Sequence, residues 1–512
     1  MSHITPIQEP RSGRAFLRAA STRGAAVAAA AAMTLGTATL GTATPGIGLS
    51  MSAPASAQVD KTAIKAGKVI TVSGDPIENG IIVIEGGRVT AVGAQSEVQI
   101  PWDAEVIDQP DMVAFPGFVE SHVSRGIDRA NETLDVAPFL NVRDSIDPVN
   151  FYFEEALRNG IVAINVQQGN DTVVAGQGMV VKPFGMTVES MMVKPRSGVK
   201  MSAAPKRGKS RATQAQALRG AFDDLKRYLE DMVQRKKDGD DFDRREALYQ
   251  GRELEGEAAK GMALQSEAWS IDGFERIPRG EVDEKQEPLL HVIEGKLPVF
   301  MWCGSPADVH TALRVAEANG FTKTLTLALD ASCWKAAPRI KEAGVHVILE
   351  DTLVHRENDP ITGEEIETFV PKVYHDAGIP FALSSSTDAN RSLWFQVAQC
   401  VAGGVPRRAA MAAATTTPAK ILGLEGRVGT LEKGSDGHVV LFNGDPLSVT
   451  SMVQHVILDG RHVYDRSKDV RVQQLTDGTR PAGTIAEEPE EYEGDGDDGS
   501  DDDDSEGDDD QA

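Results

Sequence analysis

Residues 115–122 read FPGFVESH, and this stretch marks the point at which the pattern of the chain changes. Before it, short runs of alternating apolar and polar residues are typical of half-buried strands joined by glycine-containing turns. After it, apolar strands alternate with helices, as at residues 298–302 and then 306–319. Repeated strand–helix units with buried apolar strands predict a parallel sheet, either a (β/α)8 barrel or a doubly wound sheet.

A β pattern returns near the other end of the chain. Residues 436–442 are predicted to form a strand, and residues 453–464 a hairpin with an Asp-Gly turn. Two β segments therefore flank the long α/β middle. We predict that residues 58–115 and 424–470 pair into one small β-sandwich built from both flanks.

A charged segment interrupts the α/β middle. Residues 202–290 are rich in Lys, Arg, Asp and Glu, and the spacing of Leu218, Phe222, Leu225 and Leu229 is that of one face of a helix. We predict a largely helical insertion within a barrel that spans residues 116–423.

The first 57 residues have the three parts of a bacterial signal peptide. A basic start is followed by an Ala-rich apolar middle and by the small residues ASA at 55–57. We therefore expect an exported protein, periplasmic or otherwise extracytoplasmic. Gly13 stands where a twin-arginine signal has its first arginine, so the Sec and Tat routes both stay open.

Charge and cysteine usage exclude several classes of protein. Much of the net charge of −25 comes from an acidic tail, residues 471–512, which we predict to be disordered because it has little to bury. No cluster of Lys and Arg suggests a nucleic-acid partner.

Three widely spaced cysteines argue against a disulfide framework. No long apolar run follows the leader, so the mature chain is not expected to span a membrane. The sequence is compatible with an oligomer.

The stretch at 115–122 resembles the start of the barrel in the amidohydrolase superfamily, where a Pro-Gly-hydrophobic segment ends in Asp-x-His-x-His. Residues 413–423, AATTTPAKILG, look like the last barrel helix of that superfamily, and residues 427–446 resemble its return into the β-sandwich. Residues 176–182 and 198–201 are similar to its imidazolonepropionase-like group. The resemblance implies an α/β fold, a TIM-type (β/α)8 barrel with a small β-sandwich.

The resemblance also implies a chemistry. Family members hydrolyse carbon–nitrogen bonds other than peptide bonds with water activated by a zinc-like divalent metal. It makes His122 a metal ligand and Asp388 both a metal ligand and the catalytic proton shuttle. Either Lys182 or Lys200 corresponds to a lysine that is carbamylated in some members.

Several ligand positions of the family are missing from this sequence. Ser124, Trp302 and Leu327 stand where the resemblance expects imidazoles. A catalytic zinc site takes three protein ligands and a water, so the set that remains is incomplete. The resemblance thus implies a divalent metal, whereas the residues present predict weak binding or none.

Two functions follow from these observations. The first is an exported hydrolase for a small amide, lactam or dipeptide, with Asp388 and His122 in the roles given above. The alternative is a non-catalytic pseudo-enzyme that serves as an extracytoplasmic binding or scaffold protein. The lost ligand positions favour the alternative.

Overall fold

The computed structural model describes residues 60–249, 268–271, 274–278, 282–385 and 392–477. Three of the predictions concern residues outside these ranges, namely the leader at 1–57, the tail beyond residue 477 and the acid Asp388.

Four strands precede the barrel, and they follow the alternating pattern: β1 Lys61–Val69, β2 Ile77–Glu85, β3 Arg88–Ala94 and β4 Glu105–Phe115. Strands β2 and β3 form a hairpin through Gly86 and Gly87, whose φ angles of 57° and 76° favour glycine. Strand β1 pairs antiparallel with β2 and parallel with β4, so this flank is a mixed sheet.

The barrel region contains short apolar strands and two additional hairpins. The barrel strands and the short strand β9 are β5 Phe118–Val123, β6 Ile161–Val166, β7 Val174–Gln177, β8 Met179–Val181, β9 Met192–Lys194 and β10 Val199–Ser202, followed by β13 Val299–Cys303, β14 Leu325–Leu329, β15 His346–Leu349 and β18 Phe381–Leu383. The hairpins are β11 Ala268–Ile271 with β12 Phe274–Pro278, and β16 Val354–Asn358 with β17 Glu365–Phe369.

Eleven α-helices lie between or beside these strands in the part of the chain that the structure describes. They are α1 Phe151–Arg158, α2 Val188–Met191, α3 Arg211–Tyr249, α4 Glu287–Ile293, α5 Pro306–Ala318, α6 Ala337–Ala343, α7 Val370–Asp376, α8 Leu393–Ala402, α9 Arg407–Ala413, α10 Thr416–Ile421 and α11 Val470–Asp477. Helix α6 ends at the pair Ala343-Gly344. A glycine commonly ends a helix because it adopts a left-handed conformation without strain, and Gly344 has a φ of 66°.

The barrel strands have one face toward an inner cluster and one toward the helices. Phe300, Ala328 and Ile348 pack in the inner cluster. Met301 and Leu327 belong to the outer cluster, which also contains the apolar faces of the surrounding helices. Since neighbouring residues of a strand face opposite sides, residues at even positions on β13 and β14 point to the barrel interior.

The ring of strands is not closed by backbone hydrogen bonds, which corrects the expectation of a complete (β/α)8 barrel. One sheet has the order β18-β15-β14-β13-β10-β7, and a second has the order β5-β6-β8-β9. Strands β7 and β8 are consecutive in the chain and are separated only at Gly178. The parallel order of the longer sheet otherwise follows the prediction for repeated strand–helix units.

Side chains bridge the second break, between β5 and β18. Ser121 Oγ donates to the carbonyl oxygen of Leu383 over 2.7 Å, and Ser384 Oγ donates to the carbonyl oxygen of His122. Strand β18 is three residues long and follows Pro380, which has no backbone N–H to give. Two serines thus link the strands where a backbone ladder would otherwise run.

The charged insertion is helical in part. Leu218, Phe222, Leu225 and Leu229 are fully or almost fully buried on one face of α3, as their spacing predicts. The ring of Phe222 stacks on Phe321 with 5.4 Å between centroids, so α3 packs on the outside of the barrel. The insertion, predicted to be largely helical, also contains the hairpin β11–β12, whose sequences AWSI and FERIP carry the aromatic and β-branched residues that favour strands.

Three strands return to the N-terminal sheet: β19 Val439–Phe442, β20 Val453–Leu458 and β21 Arg461–Asp465. Together the two flanks form one seven-stranded sheet with the order β21-β20-β19-β4-β1-β2-β3. Val440 of β19 pairs antiparallel with Phe115 of β4, so the flanks meet strand to strand, in place of the two separate sheets that a sandwich implies.

The first residues of the predicted tail are helical. Residues 471–477 belong to helix α11 and not to a disordered segment. The carboxylate of Asp469 explains this start, because its Oδ1 accepts a hydrogen bond from the amide of Arg471 over 3.0 Å. In the part of the chain that the structure describes, no helix is both long and apolar enough to cross a membrane.

Candidate functional site

Ionisable side chains gather at the carboxyl ends of the barrel strands. Strand β5 carries Glu120 and His122, strand β10 carries Lys200, and Glu350 and Ser385 follow β15 and β18. Barrel enzymes place their active sites at this end because the strand-to-helix loops meet there.

His122 is the centre of a buried cluster. Its Nε2 lies 2.9 Å from the Nζ of Lys200, and its Nδ1 lies 3.1 Å from Oε1 of Glu350. Lys200 Nζ also donates to Oδ1 of Asn170 over 2.7 Å. A lysine amine donates, so both contacts are satisfied when Nδ1 carries the ring proton and donates it to Glu350. Both ring nitrogens of His122 are therefore engaged by protein groups.

Burial sets the charge of this cluster. His122 is 1% exposed and Lys200 0%. Burial, together with the positive charge of Lys200, lowers the pKa of His122, although Glu350 opposes this shift. Burial lowers the pKa of Lys200 to about 8, again against the charge of Glu350. The imidazole is thus held neutral at pH 7 and the lysine is closer to neutrality than an exposed one.

Glu120 is a second ionisable group at this end, and its carboxylate is fully buried. It accepts hydrogen bonds from the amide of Ser385 at 3.2 Å and from the Ser385 hydroxyl. Burial raises the pKa of Glu120 to about 7, because these hydrogen bonds only partly offset the desolvation of the carboxylate.

The structure separates the two candidate lysines. Lys200 lies against His122, whereas Lys182 forms an ion pair with Asp459 at the turn between β20 and β21. Only Lys200 is therefore placed to act with the barrel-end residues.

The other predicted positions are dispersed. Ser124 is half-buried one residue beyond β5, and Trp302 is half-buried against the inner cluster. Leu327 is not at the site, because it pairs with Met301 and faces the outer cluster. The inward position on that strand is Ala328, which pairs with Trp302. The site assignment of Leu327 was wrong by one residue, and one residue reverses the face of a strand.

The sequence reasoning missed Glu120, Glu350 and Asn170. Glu120 was within reach of that reasoning, since it is an acidic residue on strand β5, two positions before His122. Glu350 directly follows the apolar run of β15, where a barrel presents its functional groups. Asn170 lies in the loop after β6, and no pattern in the sequence singles it out.

The described residues at this end do not fit the divalent metal that the resemblance implies. A catalytic zinc site needs three protein ligands. Here the one imidazole is engaged on both nitrogens, by Lys200 and Glu350. In the described part of the chain, the one group of three metal-binding side chains within mutual reach lies elsewhere, on the flanking sheet.

A parallel α/β barrel with charged groups at its strand ends is the architecture of the TIM-barrel enzymes. A sequence model of the amidohydrolase family matches residues 395–464, which run from helix α8 into strand β21. The amidohydrolase tasK of Hapsidospora irregularis is 22% identical over 414 residues, which are 75% of this chain and 40% of that protein. The chain thus spans less than half the length of this relative.

The chain is also similar to solved structures. The crystal structure of an amidohydrolase from Thermotoga maritima MSB8 has a TM-score of 0.62 at 24% identity and covers 79% of this chain and 100% of that one. A prolidase complexed with N-methylphosphonate-L-proline has a TM-score of 0.45 at 16% identity, with 79% and 100% covered. The chain is thus similar in sequence to the amidohydrolase family over residues 395–464 and similar in fold to a solved amidohydrolase. The narrower likeness to the imidazolonepropionase-like group stays a prediction.

Proposed function

We propose that this protein has kept the fold of the superfamily without its metal-dependent hydrolysis, and that it binds a small molecule at the barrel end. One observation carries the proposal. The Nε2 atom of His122, the nitrogen that a metal would use, accepts a hydrogen bond from Lys200.

Metal binding at this position would be costly. The ion would have to displace the amine of Lys200, which is completely buried and has Asn170 as its second partner. Further imidazoles would be needed, yet Ser124 and Trp302 occupy two of the positions at which the resemblance expects them. A hydroxyl is a poorer zinc ligand than an imidazole, and an indole offers no ligand atom.

The chemistry of the cluster indicates a class of ligand. An amide, a lactam or a dipeptide presents a carbonyl oxygen that accepts and an N–H group that donates. The cluster offers a donor in Lys200 and carboxylate acceptors in Glu120 and Glu350. These groups lie at the strand ends, where ligands of such barrels bind.

A hydrolase acting on carbon–nitrogen bonds other than peptide bonds is the second candidate. The contact between Glu350 and Nδ1 of His122 favours it, because metal-binding histidines commonly donate their other N–H to a carboxylate. In that case Asp388 is the proton shuttle, and the metal is zinc-like.

We further propose that the protein is exported. The basic start, Ala-rich middle and small-residue end of residues 1–57 support this location.

The two candidates differ in what His122 does, so the test compares the full chain with His122→Ala. Lys182→Ala is the control, because Lys182 lies away from the barrel end. Bound metal and hydrolysis of N-acyl amino acids, lactams and dipeptides are measured before and after zinc is added. We expect equal metal content in all three proteins and no hydrolysis. Zinc-dependent hydrolysis that disappears in His122→Ala alone would establish the hydrolase instead.

A further inference from the structure

We propose that the hairpin formed by β20 and β21 carries a divalent-metal site made of His455, His462 and Asp465. This site lies on the flanking sheet, and its existence does not depend on the function proposed for the barrel.

A β-bulge brings the three side chains to one face of the hairpin. His455 pairs with Asp465, Val456 with Tyr464 and Ile457 with His462, so one residue of β21, Val463, has no partner. Residues three apart on a regular strand point to opposite faces. The extra residue places His462 and Asp465 on the same face, and bulges commonly re-aim side chains in this way.

The ligand atoms lie at distances that suit a small ion. His455 Nδ1 is 3.1 Å from His462 Nε2 and 3.8 Å from Oδ1 of Asp465. One ligand atom from each residue lies within 4.8 Å of the other two. Zinc ligands at about 2.0–2.1 Å from a tetrahedral ion are separated by roughly 3.4 Å, so small side-chain rotations complete the geometry.

The rings of His455 and His462 lie against each other, with 5.0 Å between their centroids. His455 is half-buried and His462 is exposed. Two neutral imidazoles in contact share one hydrogen bond, whereas an ion between them would use a lone pair from each ring.

Asp465 is held in place by the residues that follow it. Its Oδ1 accepts hydrogen bonds from the amide and the hydroxyl of Ser467 at 3.0 and 2.7 Å. Lys468 Nζ lies 3.3 Å from its Oδ2.

The composition of the site selects the ion. Two imidazoles and one carboxylate suit zinc, cobalt and nickel better than magnesium or calcium, which prefer all-oxygen sites. His462 and Asp465 also line a cleft of about 440 Å³. Three protein ligands and an open side leave the fourth position to water or to a small anion in that cleft.

The test uses the full chain, freed of metal with a chelator and titrated with Co²⁺ and with Zn²⁺. His462→Gln and Asp465→Asn remove one ligand each, and the exposure of His462 makes the first change mild for folding. His355→Gln is the matched control, because that histidine also lies on a hairpin, and among the described residues it is not part of a group of three metal-binding side chains.

We expect the wild type and His355→Gln each to bind one equivalent of metal ion tightly. With Co²⁺, both proteins should show the absorption bands of a tetrahedral Co²⁺ complex. Affinity should fall at least tenfold in His462→Gln and in Asp465→Asn. Zinc should raise the unfolding temperature of the wild type and of His355→Gln, but not that of His462→Gln or Asp465→Asn. The unfolding temperatures of these last two proteins without metal show that they fold. Binding that is equal in the wild type and in both ligand variants would overturn the proposal. The His122→Ala variant should keep this equivalent, so the outcome is independent of the barrel.

Discussion

Lys200 donates a hydrogen bond to Nε2 of His122 across 2.9 Å, and both side chains are buried at the carboxyl end of the barrel. The histidine that the superfamily resemblance makes a metal ligand thus has a protein donor on this nitrogen. The pair explains how a buried imidazole and a buried amine coexist, since each satisfies the other.

Removing the amine should destabilise the fold. Lys200→Met leaves Nε2 of His122 and Oδ1 of Asn170 without their donor, and each unmet buried group costs about 1–3 kcal/mol, partly offset because a desolvated amine is removed. We expect a net loss of about 1–3 kcal/mol in urea unfolding. Lys182→Met is the control and should change stability by less than about 1 kcal/mol, because its ion pair with Asp459 is partly exposed to solvent. Equal effects of the two substitutions would show that the buried contact contributes nothing.

Glu120 should make stability depend on pH near neutrality. Its pKa is about 7 in the folded protein, against 4.5 for a free side chain, so the folded state binds more protons between these values. The contribution of Glu120 to stability therefore falls as the pH rises through this window. We expect the wild type to lose up to about 3 kcal/mol relative to Glu120→Gln between pH 5 and pH 8. The shift of His122 acts in both proteins and cancels in the comparison. A difference that is constant with pH would contradict a raised pKa.

Gly117 should not tolerate a side chain. It has a φ of +83°, and a Cβ there would lie 2.3 Å from a methyl carbon of Val162. Gly208 has the same φ of +83° with open space around it. Gly208→Ala therefore measures the backbone strain alone, about 1–2 kcal/mol, and Gly117→Ala should cost at least about 1–3 kcal/mol more. Thermal unfolding of both variants gives the comparison, and equal losses would mean that the barrel accommodates the methyl group.

Arg158 should hold helix α11 on the barrel. Its guanidinium donates to Asp469 at 2.7 and 3.2 Å. Burial raises the pKa of Asp469, but the hydrogen bonds from Arg158 and Tyr464 outweigh burial and lower that pKa to about 2. Arg158→Met should cost about 1–3 kcal/mol, because the carboxylate, largely shielded from solvent, loses its partner. The stabilisation should be lost in the wild type as the pH falls from about 4 toward 2. An exposed pair, Arg356 with Glu367, supplies the control, and Arg356→Met should change stability little. Similar losses in the two variants would contradict this role.

Much of the fold could be predicted because the spacing of apolar residues along the chain shows which face of a helix or strand is buried. The apolar spacing along α3 and the parallel strands β13, β14 and β15 follow directly from it. The open ring could not be predicted, because it depends on which backbone groups pair across β5 and β18, and the serines that bridge them look like loop residues. The hairpin β11–β12 was missed because its residues lie within a highly charged segment.

The sequence predicted His122 at the candidate site but not the residues that contact it. His122 stands out by its place after Pro-Gly and an apolar strand, and Lys200 was one of two alternatives. The partners of His122 come from β10 and from the end of β15, and the second partner of Lys200 comes from the loop after β6, which only the fold brings together. Leu327 was misassigned because the face of a strand changes with each residue, and the sequence does not state the register.

The most direct measurement is the ¹⁵N resonance of His122 in full-length protein labelled at histidine, with the signal identified by its loss in His122→Gln. We expect a neutral ring protonated at Nδ1, with a signal that stays unchanged when zinc is added. A shift of the Nε2 signal to that of a metal-bound imidazole at one equivalent of zinc, in protein whose His462→Gln change has removed the flanking site, would contradict it.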